Sequence, residues 1–212
     1  WRTADVVTPV ETWREHVGPT WYGKTGVVVP QWQADELDAG ADVLVTFIEP
    51  ASSFGLGNHP TTRLSLGMLT DVLEQHNPSS VLDVGCGSGV LGIVAAQRGV
   101  TTIRATDISA GAVEATVANA QLNGVIDNIE VDMAELAAIS GPYDVVVANI
   151  LAPVLVSMAA DLRRLTAADG VLIISGILGD DHQHVLDALA PMWVDRTTID
   201  AGWASIQLTH SR

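Results

Sequence analysis

The chain of 212 residues is long enough for one domain with a full core and a small appendage, and its 48% hydrophobic and 17% charged residues exclude a disordered protein. A net charge of −15 repels phosphate backbones, so we expect no direct nucleic-acid partner and consider a basic protein or a cationic substrate instead. No apolar run reaches the roughly 18 residues of a membrane span, so we expect no membrane partner. The single cysteine, Cys86, excludes an internal disulfide, and together these features predict a cytoplasmic protein.

Predicted strands and helices alternate from about residue 79 onward. The predicted helices cover 60–75, 89–98, 110–123, 153–165 and 181–190. The predicted strands cover 80–84, 102–107, 129–132, 143–150 and 170–175, followed by a closing antiparallel pair at 192–200 and 203–210. Such alternation is typical of an open, mostly parallel sheet with helices on both faces. Ahead of it, strand-like runs at 25–30 and 42–48 lie in a mixed segment.

The loop after the first of these strands carries the glycines of a nucleotide-binding site. Gly87, Gly89 and Gly92 match the dinucleotide fingerprint G-x-G-x-x-G, and Asp107 follows Gly87 by 20 residues. A dinucleotide site needs its first glycine directly at the end of the strand, whereas Gly87 lies two residues further on. The match also places Gly92 inside the predicted helix. Asp83 would also direct a carboxylate towards the pyrophosphate, which is electrostatically unfavourable.

A cationic cofactor removes that conflict. S-Adenosylmethionine contains no phosphate, and it carries an ammonium group and a sulfonium. We predict that Asp83 holds the ammonium through this loop, directly or by way of water, and that Gly85 and Gly87 let the backbone pass close to the ligand. Asp107 ends the second strand and can accept both ribose hydroxyls, a role that it would play for either cofactor; its neighbour Ile108 is also predicted to bind the cofactor.

The third strand ends in a candidate adenine site. Asp132 could accept a hydrogen bond from the adenine amino group, with Met133 packed on the ring, although a loop carboxylate or a helix cap is the alternative role for Asp132. The glycine loop with Asp83, followed by Asp107 and Asp132 after the next two strands, favours a methyltransferase over an NAD(P)-dependent oxidoreductase or a non-catalytic nucleotide-binding module. Cys86 is predicted to be a small residue in a tight loop and not a reactive thiol.

Two further stretches narrow the family: FGLGNHPTTRLSL at 54–66 and VVVANILAPVL at 145–155. With DVGCGSGVLGIVAAQRG and the SGIL of 175–178, they resemble the PrmA family, which methylates protein number eleven of the large ribosomal subunit. The resemblance runs from about Trp13 to the C-terminus. It implies an α/β fold of the class I S-adenosylmethionine-dependent methyltransferases, which is Rossmann-like, with a seven-stranded, mostly parallel sheet and a C-terminal antiparallel hairpin strand.

The resemblance also assigns residues to the site. Thr62 matches a cofactor contact, Gly85 the loop glycine, Asp107 the ribose-binding acid, and Asn149 the residue at the reactive end of the cofactor. An amine acceptor must arrive neutral, so we predict that the Asn149 side-chain carbonyl and the backbone carbonyl of Ile150 or Leu151 accept its hydrogen bonds and stabilise the developing charge.

Three residues are predicted on the substrate side: Trp21, Phe54 and His59. His59 is a possible base or orienting group, with a structural role as the alternative, while Trp21 and Phe54 either wall the acceptor pocket or belong to the core. Leu56 and Asn58 replace the threonines of the family pattern FGTGTHPTT. No Cys/His cluster has metal-ligand spacing, so we expect no metal.

The expected domain organisation is a lead-in segment, 1–50, and a catalytic domain, 51–212. The family carries a separate N-terminal recognition domain, whereas residues 1–50 resemble only its linker, so we expect that domain to be absent from this sequence. The predicted acceptor is an amino group of a ribosomal protein. Another basic protein or a small-molecule amine is the alternative.

Overall fold

The computed structural model describes residues 17–49 and 57–211, which contain ten strands and five α-helices. The strands are β1 (Thr20–Tyr22), β2 (Gly26–Pro30), β3 (Leu44–Ile48), β4 (Ser80–Val84), β5 (Thr102–Thr106), β6 (Ile129–Asp132), β7 (Tyr143–Asn149), β8 (Thr166–Leu178), β9 (Trp193–Asp200) and β10 (Trp203–Thr209). The helices are α1 (Pro60–His76), α2 (Val90–Gln97), α3 (Ala110–Leu122), α4 (Ala152–Leu165) and α5 (Gln183–Leu189).

Seven of these strands form the central sheet, in the order β6-β5-β4-β7-β8-β10-β9. Strands β4 to β8 run parallel, and β10 is antiparallel to both β8 and β9. The sheet is therefore the predicted one, mostly parallel with an antiparallel hairpin at its C-terminal end. Strand β8 begins at Thr166, earlier than the predicted residue 170, directly after α4.

Alternating side chains of the inner strands build a separate core on each face of the sheet. In β4, Val81 belongs to the cluster that contains the apolar residues of α1 and α2, while Leu82 belongs to the cluster that contains those of α4 and α5. In β7, Val145 and Val146 divide in the same way. Because both faces are covered, the inner strands carry apolar side chains on both faces, as parallel strands usually do.

The chain order of the strands reverses beside β4 and opens a crevice there. The chain leaves β4 towards β5 and β6 on one side, and β7 then pairs with β4 on the other side. The loops that follow β4 and β7 consequently diverge at the carboxyl edge of the sheet. In open α/β sheets, ligands bind at this switch point.

Residues 17–49, part of the expected lead-in segment 1–50, form regular secondary structure. Strands β1, β2 and β3 form a second sheet in which β1 is antiparallel and β3 parallel to β2, with the 3-10 helix Gln31–Glu36 between β2 and β3. Strand β3 packs on α2 and α3. Of the helices in the described ranges, none is long and apolar enough to cross a membrane.

Candidate active site

A cleft of about 830 Å³ lies at the switch point, at the carboxyl ends of β4, β5 and β7. Its volume is in the range of small-molecule sites. It brings together nine of the predicted site residues: His59, Thr62, Gly85, Gly87, Asp107, Ile108, Asn149, Ile150 and Leu151. Phe54 and Leu56 lie outside the described residues.

The loop after β4 forms the floor of the cleft. Gly85 has φ +69°, and a Cβ atom on it would lie 2.5 Å from Cγ2 of Ile150. The amides of Gly85 and Cys86 both donate to the carbonyl oxygen of Thr106, at 2.8 and 3.1 Å. The glycine therefore lets the β4 loop and the β7 loop meet without a side chain between them.

Asp107 lies at the centre of this arrangement. Its Oδ2 accepts from the Gly87 amide at 3.1 Å, and its Oδ1 accepts from the Ser109 amide at 2.9 Å. Each carboxylate oxygen can accept more than one hydrogen bond, so these contacts orient Asp107 and leave it able to accept hydroxyl groups of a ligand. Ile108 is 88% exposed at the mouth of the cleft.

Asp83 differs from the prediction that its carboxylate meets the ligand ammonium. It is 1% exposed, it is not among the residues that line the cleft, and its Oδ2 accepts from the Gly92 amide in the first turn of α2 at 3.0 Å. Burial, aided by the Asp107 charge and opposed by the Gly92 hydrogen bond, raises its pKa to about 7. The predicted direct contact with the ligand is therefore wrong. Asp83 instead caps the first turn of α2 beneath the loop and does not reach the cleft.

Cys86 is a small, buried residue of the loop after β4, as predicted. Its Sγ lies 3.3 Å from the Thr116 hydroxyl. Burial and the neighbouring Asp83 carboxylate raise the pKa of the thiol to about 12. A thiol that stays protonated at neutral pH is a poor nucleophile.

The predicted adenine contacts are also corrected. Asp132 is bound by the Arg104 guanidinium and accepts from the Ala134 amide at 2.9 Å, while Met133 is half-exposed; neither residue lines the cleft. The alternative role, a carboxylate that shapes its own loop, describes Asp132 better. The turn that it supports, Ala134–Ala137, lines the cleft in its place.

Asn149 ends β7 beside the first turn of α1. Its Nδ2 lies 3.5 Å from Oγ1 of Thr62, so the side-chain oxygen Oδ1 is the atom that remains to accept hydrogen bonds from a substrate. The Leu151 carbonyl, in contrast, already accepts from the amides of Val154 and Leu155 at 2.9 and 3.1 Å, because it caps α4. Of the two predicted backbone acceptors, we therefore retain Ile150 and discard Leu151.

Gly176 fixes the position of the Ile150 carbonyl. It has φ +85°, and a Cβ atom on it would lie 2.4 Å from the carbonyl oxygen of Ile150. The Ile150 amide in turn donates to the Ser175 carbonyl at 3.1 Å. The backbone of β8 thus supports the β7 loop from behind, and only glycine fits at that point.

His59 caps α1 and faces the cleft. Its Nδ1 accepts from the Thr61 amide at 3.3 Å and lies 2.8 Å from the Thr61 hydroxyl. Partial burial, aided by the charge of Arg63, lowers the pKa of the imidazole. Since Nδ1 accepts, the neutral ring carries its proton on Nε2, which favours an orienting donor over a base.

Among the described residues, the tryptophan that lines the cleft is Trp203 and not Trp21. It packs edge-on against His59, with ring centroids 5.2 Å apart. Trp21 lies in β1, is 52% exposed and does not line the cleft, so its predicted place in the acceptor pocket is wrong.

Sequence reasoning missed several residues that line the cleft: Thr61, Ala134, Glu135, Ala137, Gly176 and Trp203. The SGIL stretch contains Gly176 and could have drawn attention to it. Trp203 opens the last strand without any motif around it. Among the described residues, no group of His, Cys, Asp and Glu side chains could hold a metal ion.

Comparison with known proteins agrees with this geometry. A family model described as "Ribosomal protein L11 methyltransferase (PrmA)" matches residues 8–211. The ribosomal protein L11 methyltransferase of Syntrophotalea carbinolica is 40% identical over 197 residues, which cover 88% of this chain and 64% of that protein. Its counterpart in Geobacter sulfurreducens is 43% identical over 175 residues, with 82% and 56% covered. The chain thus spans less than two thirds of the length of these curated relatives.

Solved structures give the same result. The ribosomal protein L11 methylase of Lactobacillus delbrueckii subsp. bulgaricus superposes with a TM-score of 0.84 at 31% identity, covering 92% of this chain and 100% of that one. An RNA methyltransferase of Salinibacter ruber, crystallised with S-adenosyl-L-homocysteine, has a TM-score of 0.55 at 19% identity, covering 68% and 91%, and shares the fold alone. The sequence match, the fold and the cleft lead to one conclusion: the chain belongs to the PrmA family of ribosomal protein L11 methyltransferases.

Proposed function

We propose that this chain is the catalytic part of an S-adenosylmethionine-dependent N-methyltransferase that acts on amino groups of ribosomal protein L11. Family membership and the names of its relatives support the reaction and the acceptor. One observation of the cleft carries the cofactor assignment: the Gly87 amide, in the loop where a pyrophosphate would bind, is occupied by the Asp107 carboxylate of the chain itself.

Asp107 accepts from the Gly87 amide and also places a carboxylate in the loop. A dinucleotide relies on free amides at the start of the helix and on the absence of negative charge there. In this loop both conditions fail, so an NAD(P)-dependent oxidoreductase fits poorly, whereas a cofactor without phosphate and with positive charge fits well.

We further propose which residues hold the cofactor. Asp107 would accept the ribose hydroxyls, Thr62 and Asn149 would contact its reactive end, and the turn Ala134–Ala137 would pack against the base. When bound, S-adenosylmethionine supplies an electrophilic methyl group on a sulfonium sulfur, which is a good leaving group.

The chain's own contribution is to hold and orient the acceptor amine. Oδ1 of Asn149 and the Ile150 carbonyl would accept its hydrogen bonds, which directs the nitrogen lone pair towards the cleft and stabilises the positive charge that develops there. Nε2 of His59 would orient the acceptor as a donor. The proton that the amine loses would pass to solvent at the open mouth of the cleft.

The acceptor is the part of the proposal with a second candidate. Residues 51–212, which contain the whole cleft, are proposed as the catalytic domain behind the lead-in segment 1–50. The net charge of −15 suits a basic protein, and the cleft would also admit a small-molecule amine. Action on a ribosomal protein would place the enzyme where ribosomes are assembled.

Intact-mass spectrometry tests the proposal. The chain is incubated with S-adenosylmethionine and either purified ribosomal protein L11 or a panel of small amines, with Asn149→Ala as the control. We expect successive gains of one methylene mass on amino groups of the ribosomal protein. Mass gains on the small amines alone would favour the second candidate, a small-molecule acceptor. Mass gains of the same size with Asn149→Ala would refute the proposed role of Asn149 in the active site.

A further inference from the structure

Three polar side chains lie on one face of α3 and its C-terminal cap, at a spacing of three and four residues: Thr116, Asn119 and the cap residue Asn123. Thr116 and Asn119 are fully buried. Buried polar groups require partners, and the partners here include groups from two different parts of the protein, the cofactor loop and the N-terminal sheet of β1 to β3 with the residue that follows it.

Asn119 contacts both parts at once. Its Oδ1 accepts from the Glu49 amide at 2.9 Å, just after β3. Its Nδ2 donates to the Ser88 carbonyl in the cofactor loop at 2.9 Å and to the Glu49 carbonyl at 3.3 Å. The amide of a 1% exposed residue is therefore satisfied only when the sheet and the loop are both in place.

The contact at Ser88 continues to the ligand side of the loop. The preceding residue, Gly87, has its carbonyl held by the Thr116 hydroxyl at 3.1 Å and its amide held by Asp107 at 3.1 Å. Hydrogen bonds thus link Glu49 through Asn119 to Ser88, the backbone joins Ser88 to Gly87, and a further hydrogen bond links Gly87 to Asp107. Such contiguous networks can couple distant sites.

Asn123 provides a natural contrast. Its Oδ1 accepts from the Phe47 amide at 2.9 Å, and its Nδ2 donates to the Phe47 carbonyl at 2.6 Å. Both bonds hold β3, and neither reaches the cofactor loop. Asn123 therefore fastens the N-terminal sheet without touching the loop.

We propose that Asn119 is a positioning residue, which couples the docking of the N-terminal sheet to the shape of the cofactor loop. The sheet before residue 50 is then a working part of the catalytic unit. A test by binding of S-adenosylhomocysteine rests on the function proposed above, whereas a test by hydrogen exchange in the ligand-free protein does not.

The test compares Asn119→Ala with Asn123→Ala by hydrogen exchange and by calorimetry. In the ligand-free protein, we expect Asn119→Ala to speed exchange of the Gly87 and Gly89 amides about tenfold, since a buried hydrogen bond is lost. It should weaken S-adenosylhomocysteine binding by a similar factor. Asn123→Ala should lower the melting temperature and change both quantities less than about twofold.

Equal effects of the two variants on the loop amides would overturn the coupling and leave only general stability. If Asn119→Ala fails to fold, Asn119→Ser, whose short hydroxyl cannot reach both partners, should speed exchange at the same two amides. If the unmodified chain does not bind S-adenosylhomocysteine, the proposed cofactor is refuted, while the exchange comparison still decides the coupling.

Discussion

Replacing Gly176 by alanine perturbs the acceptor side of the cleft directly and reaches the cofactor loop only through the contact of Ile150 with Gly85. The new Cβ would lie 2.4 Å from the Ile150 carbonyl oxygen, and separations below 3.0 Å are essentially never found for real Cβ atoms. The β7 loop must therefore move by at least about 0.6 Å. The carbonyl that we assign to the acceptor amine moves with it.

The magnitude follows from that displacement. A misplacement of about 1 Å in a reacting geometry costs about 100-fold in rate, so we expect kcat to fall by about 10- to 100-fold. Alanine at φ +85° also costs about 1–2 kcal/mol of folding free energy. The affinity for S-adenosylhomocysteine should change less than about threefold, because Asp107 and its loop are held from the opposite side.

Gly99→Ala is the matched control. Gly99 has φ +96°, and no atom lies within 4 Å of the point that a Cβ would occupy, so alanine there adds backbone strain without a clash. Thermal unfolding, calorimetry and single-turnover methyl transfer should be measured on both variants. If Gly176→Ala retains the turnover of Gly99→Ala, the Ile150 carbonyl has no part in positioning the acceptor.

The remaining predictions concern Asn149, Asp107 and Asp83. Asn149→Ala should lower kcat much more than cofactor affinity, as measured by steady-state kinetics and calorimetry. Asp107→Asn should weaken S-adenosylhomocysteine binding by about 10- to 100-fold in calorimetry, since a charged hydrogen bond is worth about 1.5–3 kcal/mol. Asp83 has its pKa raised from 3.8 to about 7 by burial, so its stabilising protonation is complete below pH 4 and is lost as the pH rises through 7. In urea unfolding between pH 4 and 8, Asp83→Asn should therefore lose less stability than the unmodified chain with rising pH, by at most about 1.4 kcal/mol per pH unit.

Each of these predictions has an outcome that contradicts it. Unchanged turnover in Asn149→Ala would remove the side chain from the acceptor site. Equal binding by Asp107→Asn would move the ribose contact elsewhere in the cleft. Parallel stability curves for the unmodified chain and Asp83→Asn would show that Asp83 has an ordinary pKa in the folded state.

The central sheet can be predicted because its signals are local. Strand β4 is a short, mostly apolar run followed by Gly85, and β7 is a similar run that ends at Asn149. The helices after β4 and β5 are followed within two residues by Gly99 and Gly124. The N-terminal sheet is harder to predict, because β1 has only three residues and nothing local states that β2 and β3 pair in parallel.

The site shows the same division between local and tertiary information. Asp107 and Asn149 follow buried strands, so the sequence predicts that they meet at one edge of the sheet. For Asp83 the sequence predicts the correct strand but the wrong contact. Side chains alternate along a strand, so Asp83 lies on the same face as Val81, the face covered by α1 and α2. That alternation could have predicted that the Asp83 carboxylate points towards α2.

Two corrections depend on tertiary contacts. The Leu151 carbonyl is not available to a substrate because it accepts hydrogen bonds at the start of α4. The exact start of a helix is poorly determined by sequence. Gly176 matters only because Ile150 lies against it, and no sequence pattern links the two residues.

The most direct test of the central claim, a cleft built for a cationic cofactor without phosphate, is calorimetric titration of the chain with S-adenosylhomocysteine and, separately, with NADH. The account predicts binding of S-adenosylhomocysteine that Asp107→Asn weakens, and no heat of binding from NADH. Tight binding of NADH with no response to S-adenosylhomocysteine would contradict it.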